Sequence, residues 1–544
     1  MSSSRIRAHA LPPVTPPDPV VDESIVEAYL EDSSGVEPGR AAGVVRAHDE
    51  AEAAAFLRAT VGSEIRVLPQ AARSSVTGGA VPRGEVVVSV EAFNEIGPVE
   101  RRIGGGCVRA GAGVRLIDLQ RYVAEHDCYY PPVPTYQEAM IGGTASTNAG
   151  GPATFKYGVT REWINGLRVL LFNGDALEIE RGQTLASPGE DFVVELSDGS
   201  ELHVPVPGYK LPPLKKISAG YYASDPLDLI DLFIGSEGTL GLITEVTVDL
   251  VSLPPSVVTG LVFPNSLDAA LELGDALRAA AASAWSSGDP LGPEIRAIEI
   301  MDGNSLDLLR EHGDTSRLRV NVPEHGRAAL LFETELPEPL SNDDVQEVLA
   351  RFLEGETAGE DGPLLRLFSI LARFGALEDL DFAFPEDRAR SEALHEFRES
   401  IPKRVNEILV GIRRDHPRIK KIGGDLIVPV DRLAEMMRFY ERGFRSRGLD
   451  YVIWGHLSDG NLHPNAIPRD DDDVTAGLEV LLEFADEAVR LGGCPLSEHG
   501  VGRNPIKQEM LRRFLGDDAI AAMRAVKGAL DPEARFAPGV LFTP

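Results

Sequence analysis

The sequence is poor in cysteine, in positive charge and in long apolar runs, and each shortage excludes something. Only three cysteines occur in 544 residues, Cys107, Cys128 and Cys494, far apart and without CxxC spacing. Neither an iron–sulfur module nor a disulfide framework is encoded, and a reducing compartment is expected. Lys and Arg number 53 against 85 Asp and Glu, a formal net charge of −32. Such a field repels phosphate and no basic block interrupts it, so nucleic acid is excluded as a partner. An anionic ligand must then be held by local donors, meaning backbone N–H groups, a metal or a placed arginine. No apolar run approaches membrane-spanning length, and "MSSSRIRAHALPPVTPPDPV" lacks the apolar core of a signal peptide. The expectation is a cytoplasmic protein with no integral membrane segment, peripheral association staying open. Nor does any glycine run fit GxGxxG after a strand, or the Walker pattern.

What is present is the balance of a globular chain, 43% hydrophobic and 25% charged, long enough for two or three domains. Residues 1–37, rich in Pro, Ser and acidic residues, read as a flexible lead-in. Residues 38–254 are rich in strand and turn signals. "GEVVVSV" (84–90) is a buried-strand run, and "LRVLLFNGDALEIE" (167–180) is a hairpin around Asn-Gly, a design that "DFVVELSDGSELHVPV" repeats with Asp-Gly. "VRLIDLQRYVAEH" (114–126) has helical spacing. After the Pro-Pro pair at 254–255 strands such as "RAALLFE" alternate with helical stretches such as "SLDAALELGDALRAAAASA", which predicts a second, α+β domain over 255–510. Residues 511–544 read as a helix stopped by Asp-Pro and a tail.

Three segments of the first domain are dense in small residues: "PQAARSSVTGGAVP" (69–82), "PPVPTYQEAMIGGTASTNAGG" (131–151) and "GSEGTLGLITE" (235–245). Small residues let the backbone approach a ligand, and successive N–H groups form anion-binding nests. In the second domain "GHLSDGNLHPN" (455–465) sets His456 and His463 on either side of a tight polar turn, with "SEHG" following at 497–500. If Leu457 and Leu462 close the turn, the two histidines are direct cross-strand partners with Cβ atoms about 5 Å apart, close enough to share a metal ion. Glu498 is the natural third ligand, and a His₂-carboxylate set suits a divalent metal that also binds substrate. Arg398, in "LHEFRESIPKRVNEIL" (394–409), can pair a carboxylate bidentately.

Together, "IGGTASTNAGG", "GSEGTLGLITE" and "GHLSDGNLH" resemble the vanillyl-alcohol oxidase / p-cresol methylhydroxylase superfamily, in particular its FAD-linked D-2-hydroxyacid dehydrogenases, from about residue 40 to the C-terminus. The resemblance implies an α+β fold, with a two-subdomain FAD-binding domain and an α+β cap domain carrying an antiparallel sheet, the C-terminal helix and tail returning to the FAD domain. It implies that amides of Ala71, Ala72, Arg73, Ser74 and Ser75 cradle the FAD pyrophosphate. Pro134, Thr135, Gly143, Thr147, Asn148 and Gly150 would line the flavin and ribityl side, and Glu237, Gly241 and Ile243 the adenosine part. His456, His463 and Glu498 would hold a divalent metal (zinc first, manganese or iron as alternatives), with His499 as proton acceptor and Arg398 and Asn465 as substrate contacts. No His or Cys stands where relatives attach flavin, so the FAD is expected to be non-covalent. The implied activity is oxidation of a small D-2-hydroxy acid such as D-lactate or D-2-hydroxyglutarate. The electron acceptor stays open among an electron-transfer flavoprotein, a quinone, a cytochrome and oxygen, and the resemblance allows a homodimer.

The sequence departs from the family's pattern at several points. The usual Arg-Gly-Gly-Gly-Thr of the first loop reads Gln70-Ala71-Ala72-Arg73-Ser74, Val133 replaces a common Asp, and Ala537 replaces a common Asn. Ser458 stands at a usual Gly, Pro402 at a hydroxyl residue of some relatives, and "KIGGDLIVPV" lacks a Lys two places before Asp425. Two other readings use part of the pattern. A flavin-free metallohydrolase would use the His/Glu cluster but leave the glycine-rich segments unexplained. An ether-lipid synthase of the alkylglycerone-phosphate type would need a histidine run and a C-terminal Tyr that are missing.

Overall fold

Continuous valine runs and alternating strands build the two sheets that frame the first half of the chain. The computed structural model describes residues 3–132 and 134–543, so Val133 lies outside the described residues. The chain forms two units: Met1–Gly151, Gly158–Leu253 and Cys494–Pro544 make unit 1, and Pro152–Tyr157 with Pro254–Gly493 make unit 2.

In unit 1, β1 (Gly43–Val45), β2 (Val67–Gln70) and β3 (Val86–Ser89) form a parallel sheet in the order β1-β3-β2. Its near-continuous burial is what a parallel sheet needs, since both faces are covered. The connecting helix α1 (Glu50–Ala59) starts at Asp49, whose side chain accepts from the Glu52 N–H, and it buries Ala53 through Leu57. The second sheet is antiparallel. It contains β4 (Gly105–Gly111), β5 (Ile164–Leu170), β6 (Asp175–Glu180) and β7 (Leu242–Ser252), in the order β6-β5-β7-β4. The Asn-Gly turn closes β5 onto β6 as expected, with Gly174 at φ 78°.

The lead-in is less loose than its composition suggests. Arg5–Arg7 pairs in parallel with 193–195, and His9–Ala10 adds to the edge of β6. Main-chain hydrogen bonds hold these strands, so they need no apolar side chains and leave no hydropathy signal.

Unit 2 is built on one antiparallel sheet. Its strands are β8 (Ser256–Val262), β9 (Glu294–Asp302), β10 (Ala328–Leu336), β11 (Asp381–Ala383), β12 (Ile422–Gly423), β13 (Leu426–Ile427), β14 (Asp450–His456) and β15 (Asn461–Ile467). The order is β11-β8-β10-β9-β14-β15-β12, with β13 also pairing β15. The α+β class and the antiparallel second sheet expected from sequence are both present.

The period-2 alternation of strands gives this sheet two unlike faces. One is apolar: the helix Asp471–Arg490 sets Gly477 against Ile422 and Ala466, and Phe444 of the helix Leu433–Ser446 stacks on Tyr451 at 4.9 Å. The other face is polar and lies under the long helix Arg388–Ile412, which reaches it through Arg398 to Glu299 and His395 to Glu333. No described helix is long and apolar enough to cross a membrane.

Candidate active site

In unit 1 the three glycine-rich segments converge on α2 (Ile141–Thr147), the helix formed by "IGGTAST". Gly142 permits the approach of α2 to the sheet, because a Cβ there would lie 2.5 Å from the Ala112 Cβ. Gly143 faces the first loop: its missing Cβ would lie 3.2 Å from that of Ala71. The third segment docks on the other end of α2, where the N–H groups of Gly235 and Glu237 donate to Ala145 O (3.0 Å) and Ser146 O (2.7 Å). Ser75 Oγ accepts from the Thr77 N–H at 3.2 Å, which shapes the first loop.

One non-glycine residue in each segment holds a left-handed φ: Arg73 (56°), Asn148 (50°) and Glu237 (53°). Such conformations are costly and gather where a backbone must present itself to a ligand. In the first loop Ala71 and Ala72 still allow close backbone approach as long as their own φ stays negative. Positive φ is required, but it falls on Arg73, whose side chain is anchored by Glu91 at 2.8 Å and lies 5.0 Å from the Tyr29 ring centre. Asn148 ends α2: its Oδ1 accepts from the Arg161 N–H (2.9 Å) and its Nδ2 donates to Ile217 O (3.3 Å). Thr147 Oγ1 donates to Gly143 O at 3.1 Å, Gly150 is buried, Pro134 is half-buried and Thr135 exposed. Gly241 and Ile243 take part in the packing of β7 on β5, where a Cβ on Gly241 would meet Leu170 O at 2.8 Å. A cradle of small residues and turned backbone, with few cations, fits an FAD pyrophosphate held by amides.

The "SEHG" segment also belongs to unit 1, and it is held in place by Lys216, which the sequence reading passed over, and by Glu237. Lys216, fully buried, puts Nζ 2.9 Å from Glu498 Oε2, and His499 Nε2 lies 3.3 Å from Glu498 Oε1. Lys216 arrives there because its loop is tied to α2 and to this segment: Ser218 Oγ donates to Thr147 O (3.1 Å) and the Ser218 N–H to Leu496 O (3.0 Å). The Glu237 carboxylate accepts from the N–H groups of Val501 and Gly502, both at 2.8 Å, which fixes the turn directly after His499. Burial pushes the Glu237 carboxyl up to about 7, although those two amides act in the opposite direction.

In unit 2 the histidine turn differs from expectation in register. His456 is opposite Asn461 and Trp454 opposite His463, so the loop is Leu457–Gly460 and the histidines are diagonal rather than direct partners. The loop is displaced by one residue because Ser458 joins it to β9: its N–H donates to Ile298 O (3.1 Å) and its Oγ accepts from the Ile298 N–H (3.3 Å). The histidines still share a face, both buried, with ring centres 5.5 Å apart and planes at 86°. Diagonal neighbours remain within reach of each other's longer side chains.

Each imidazole has an acid close by. His456 Nδ1 is hydrogen-bonded to Glu299 Oε1, and His463 Nδ1 lies 3.9 Å from Asp425 Oδ1. Two imidazoles with carboxylates beside them form a donor set that fits a divalent ion such as zinc. Arg398 stands over the same face with Nε donating to Glu299 Oε2 at 2.7 Å, and Asn465 Nδ2 donates to His463 O at 2.9 Å. Gly423 has no space for a side chain, since a Cβ would lie 2.4 Å from Asn465 Oδ1.

Glu299 and Lys216 were not singled out from sequence. Glu299 had a signal: an acid inside the apolar strand "AIEIMD" must find partners if buried.

Residues 41–180 match the FAD binding domain family, and residues 254–541, more than half the chain, match "FAD linked oxidases, C-terminal domain". Glycolate oxidase subunit GlcD of Bacillus subtilis (strain 168) is 27% identical over 491 residues, 89% of this chain and 85% of that one. D-2-hydroxyglutarate dehydrogenase of Xanthomonas citri pv. viticola is 26% identical, over 90% of this chain and 87% of its own. D-lactate dehydrogenase of Anaerostipes hadrus is 25% identical, over 97% and 95%. A solved structure of alkyldihydroxyacetonephosphate synthase superposes with a TM-score of 0.58 at 14% identity, covering 96% of this chain and 82% of that one, a likeness of fold alone. With an FAD-binding domain followed by the FAD-linked oxidase domain, this chain belongs to the FAD-linked oxidases of the vanillyl-alcohol oxidase / p-cresol methylhydroxylase superfamily.

Proposed function

We propose that the protein oxidises a small 2-hydroxy acid, either glycolate or a D enantiomer of the lactate or 2-hydroxyglutarate kind, to the 2-oxo acid. The observation that carries the reading is the polar face of the unit 2 sheet, where a buried imidazole pair 5.5 Å apart adjoins an arginine able to pair a carboxylate. The names of the relatives, all acting on small 2-hydroxy acids, point the same way. When bound, FAD supplies the hydride acceptor, and a divalent ion on His456, His463 and Glu498 supplies a Lewis acid for the 2-hydroxyl.

The chain's own residues orient the substrate and move its proton. Arg398 pairs the substrate carboxylate, and Asn465 offers its amide from the same sheet face. His499, next to Glu498, accepts the hydroxyl proton as general base. Lys216 holds Glu498 Oε2 and balances its charge. The electrons leave to an acceptor of the flavoprotein, quinone or cytochrome class.

The test is anaerobic mixing of the FAD-loaded protein with glycolate and with the D and L forms of lactate and 2-hydroxyglutarate. The flavin should bleach with D but not L acids, more slowly after chelation, and at the original rate once zinc is restored. Bleaching by L acids, or a rate indifferent to thorough chelation, overturns the reading.

A further inference from the structure

Building on this reading of the site, we propose that Glu299 is a positioning residue that sets the metal-binding tautomer of His456 and the orientation of Arg398 with one carboxylate. Glu299 lies inside β9 directly opposite His456 in the β-ladder and is 3% exposed. Burying a carboxylate is unfavourable unless both oxygens find donors. Here Oε1 meets His456 Nδ1 and Oε2 meets Arg398 Nε.

Each contact has a directional consequence. An ionised carboxylate only accepts, so Nδ1 of His456 carries the proton and Nε2 is the ring nitrogen whose lone pair a metal would use. Arginine bound through Nε has its plane fixed, and the Nη1–Nη2 edge of the fork remains for a second carboxylate. The neighbouring strand offers a contrast. Glu333 and Glu335 on β10 are also buried, but Glu333 pairs with His395 and Arg296, and Glu335 with Lys156, Tyr157 and Arg296, none of which the proposed chemistry uses. Glu299 alone among these three acids joins a proposed ligand to a proposed substrate contact.

Glu299→Gln keeps the shape but leaves a single acceptor for two donors. In FAD-loaded protein, zinc affinity measured by competition with a chromophoric chelator should fall about 10- to 100-fold with flavin content unchanged. KM for the 2-hydroxy acid should rise as well. In an Arg398→Met background, adding Glu299→Leu, which offers His456 no acceptor at all, should again weaken zinc yet leave KM where Arg398→Met alone puts it. This pair also reads the His456 half if Glu299→Gln by itself, with Arg398 left charged and unpaired, fails to fold. Unchanged zinc affinity in Glu299→Gln, against a wild type that binds zinc, overturns this inference and leaves the functional reading standing. A wild type that binds no zinc sinks the metal assignment, and the His456 half of the inference with it.

Discussion

Ala537 sits at φ 39°, in the left-handed region where a Cβ crowds the backbone. Its N–H donates to Val67 O at 2.7 Å, so the strained residue is fixed against β2, just before the first FAD loop. Ala537→Gly should relieve about 1 kcal/mol, offset in part by the freer unfolded chain, and raise Tm by about 1 °C. Ala537→Asn should do the same, and a lower Tm in both would show the position to be unstrained. His499 carries a sharper expectation. As a general base beside a ligand, rather than a ligand itself, it should give about a 10²- to 10⁴-fold slower flavin reduction when changed to Gln. Metal and flavin content, measured on the same sample, should be those of the wild type. Wild-type speed, or loss of the metal, would remove it from the role of base.

Among the elements, hairpins and helices were the most legible features. The Asn-Gly and Asp-Gly turns and the helical spacing of 114–126 all fold as their local chemistry demands. The convergence of the three small-residue segments on α2 was legible as composition but not as geometry, because contacts such as Gly143 with Ala71 join residues far apart in sequence. Register in the histidine hairpin was missed because Ser458 bonds to β9, a tertiary contact that no pattern within 455–465 announces. The Glu237 tie is of the same kind: one side chain from the GSEG turn clamps the element that carries His499. Its carboxyl ordinarily titrates near 4.5 and is pushed up to about 7. Below 4.5 it is neutral in both states and has no effect. Between 4.5 and about 7 only the unfolded chain ionises, so stability falls as pH rises, and above 7 the loss is constant. Tm of Glu237→Gln minus that of wild type should therefore grow from pH 5 to about 7 and then level off. A difference flat across that window would mean the two amides keep the carboxylate ionised throughout.

At the scale of the whole molecule the dominant quantity is the net charge of −32, which acts on every ligand before any residue touches it. The proposed substrate is an anion, so the long-range field opposes its approach even though Arg398 would welcome it at contact. The two effects differ in range, and salt separates them. At about 10 mM ionic strength the Debye length is about 30 Å and the summed repulsion reaches far into solution, whereas at about 150 mM it is about 8 Å and most of that field is screened. A buried pair such as carboxylate and Arg398 is screened much less over the same range. Raising the ionic strength with an inert salt should therefore increase kcat/KM for the 2-hydroxy acid while kcat stays nearly constant, because only the encounter has changed. Neutral, esterified substrate analogues, tested as competitive inhibitors, should show no such rise in affinity. If kcat/KM instead falls steadily from the lowest salt, local cations at the site entrance outweigh the acidic field, and basic side chains other than Arg398 steer the substrate.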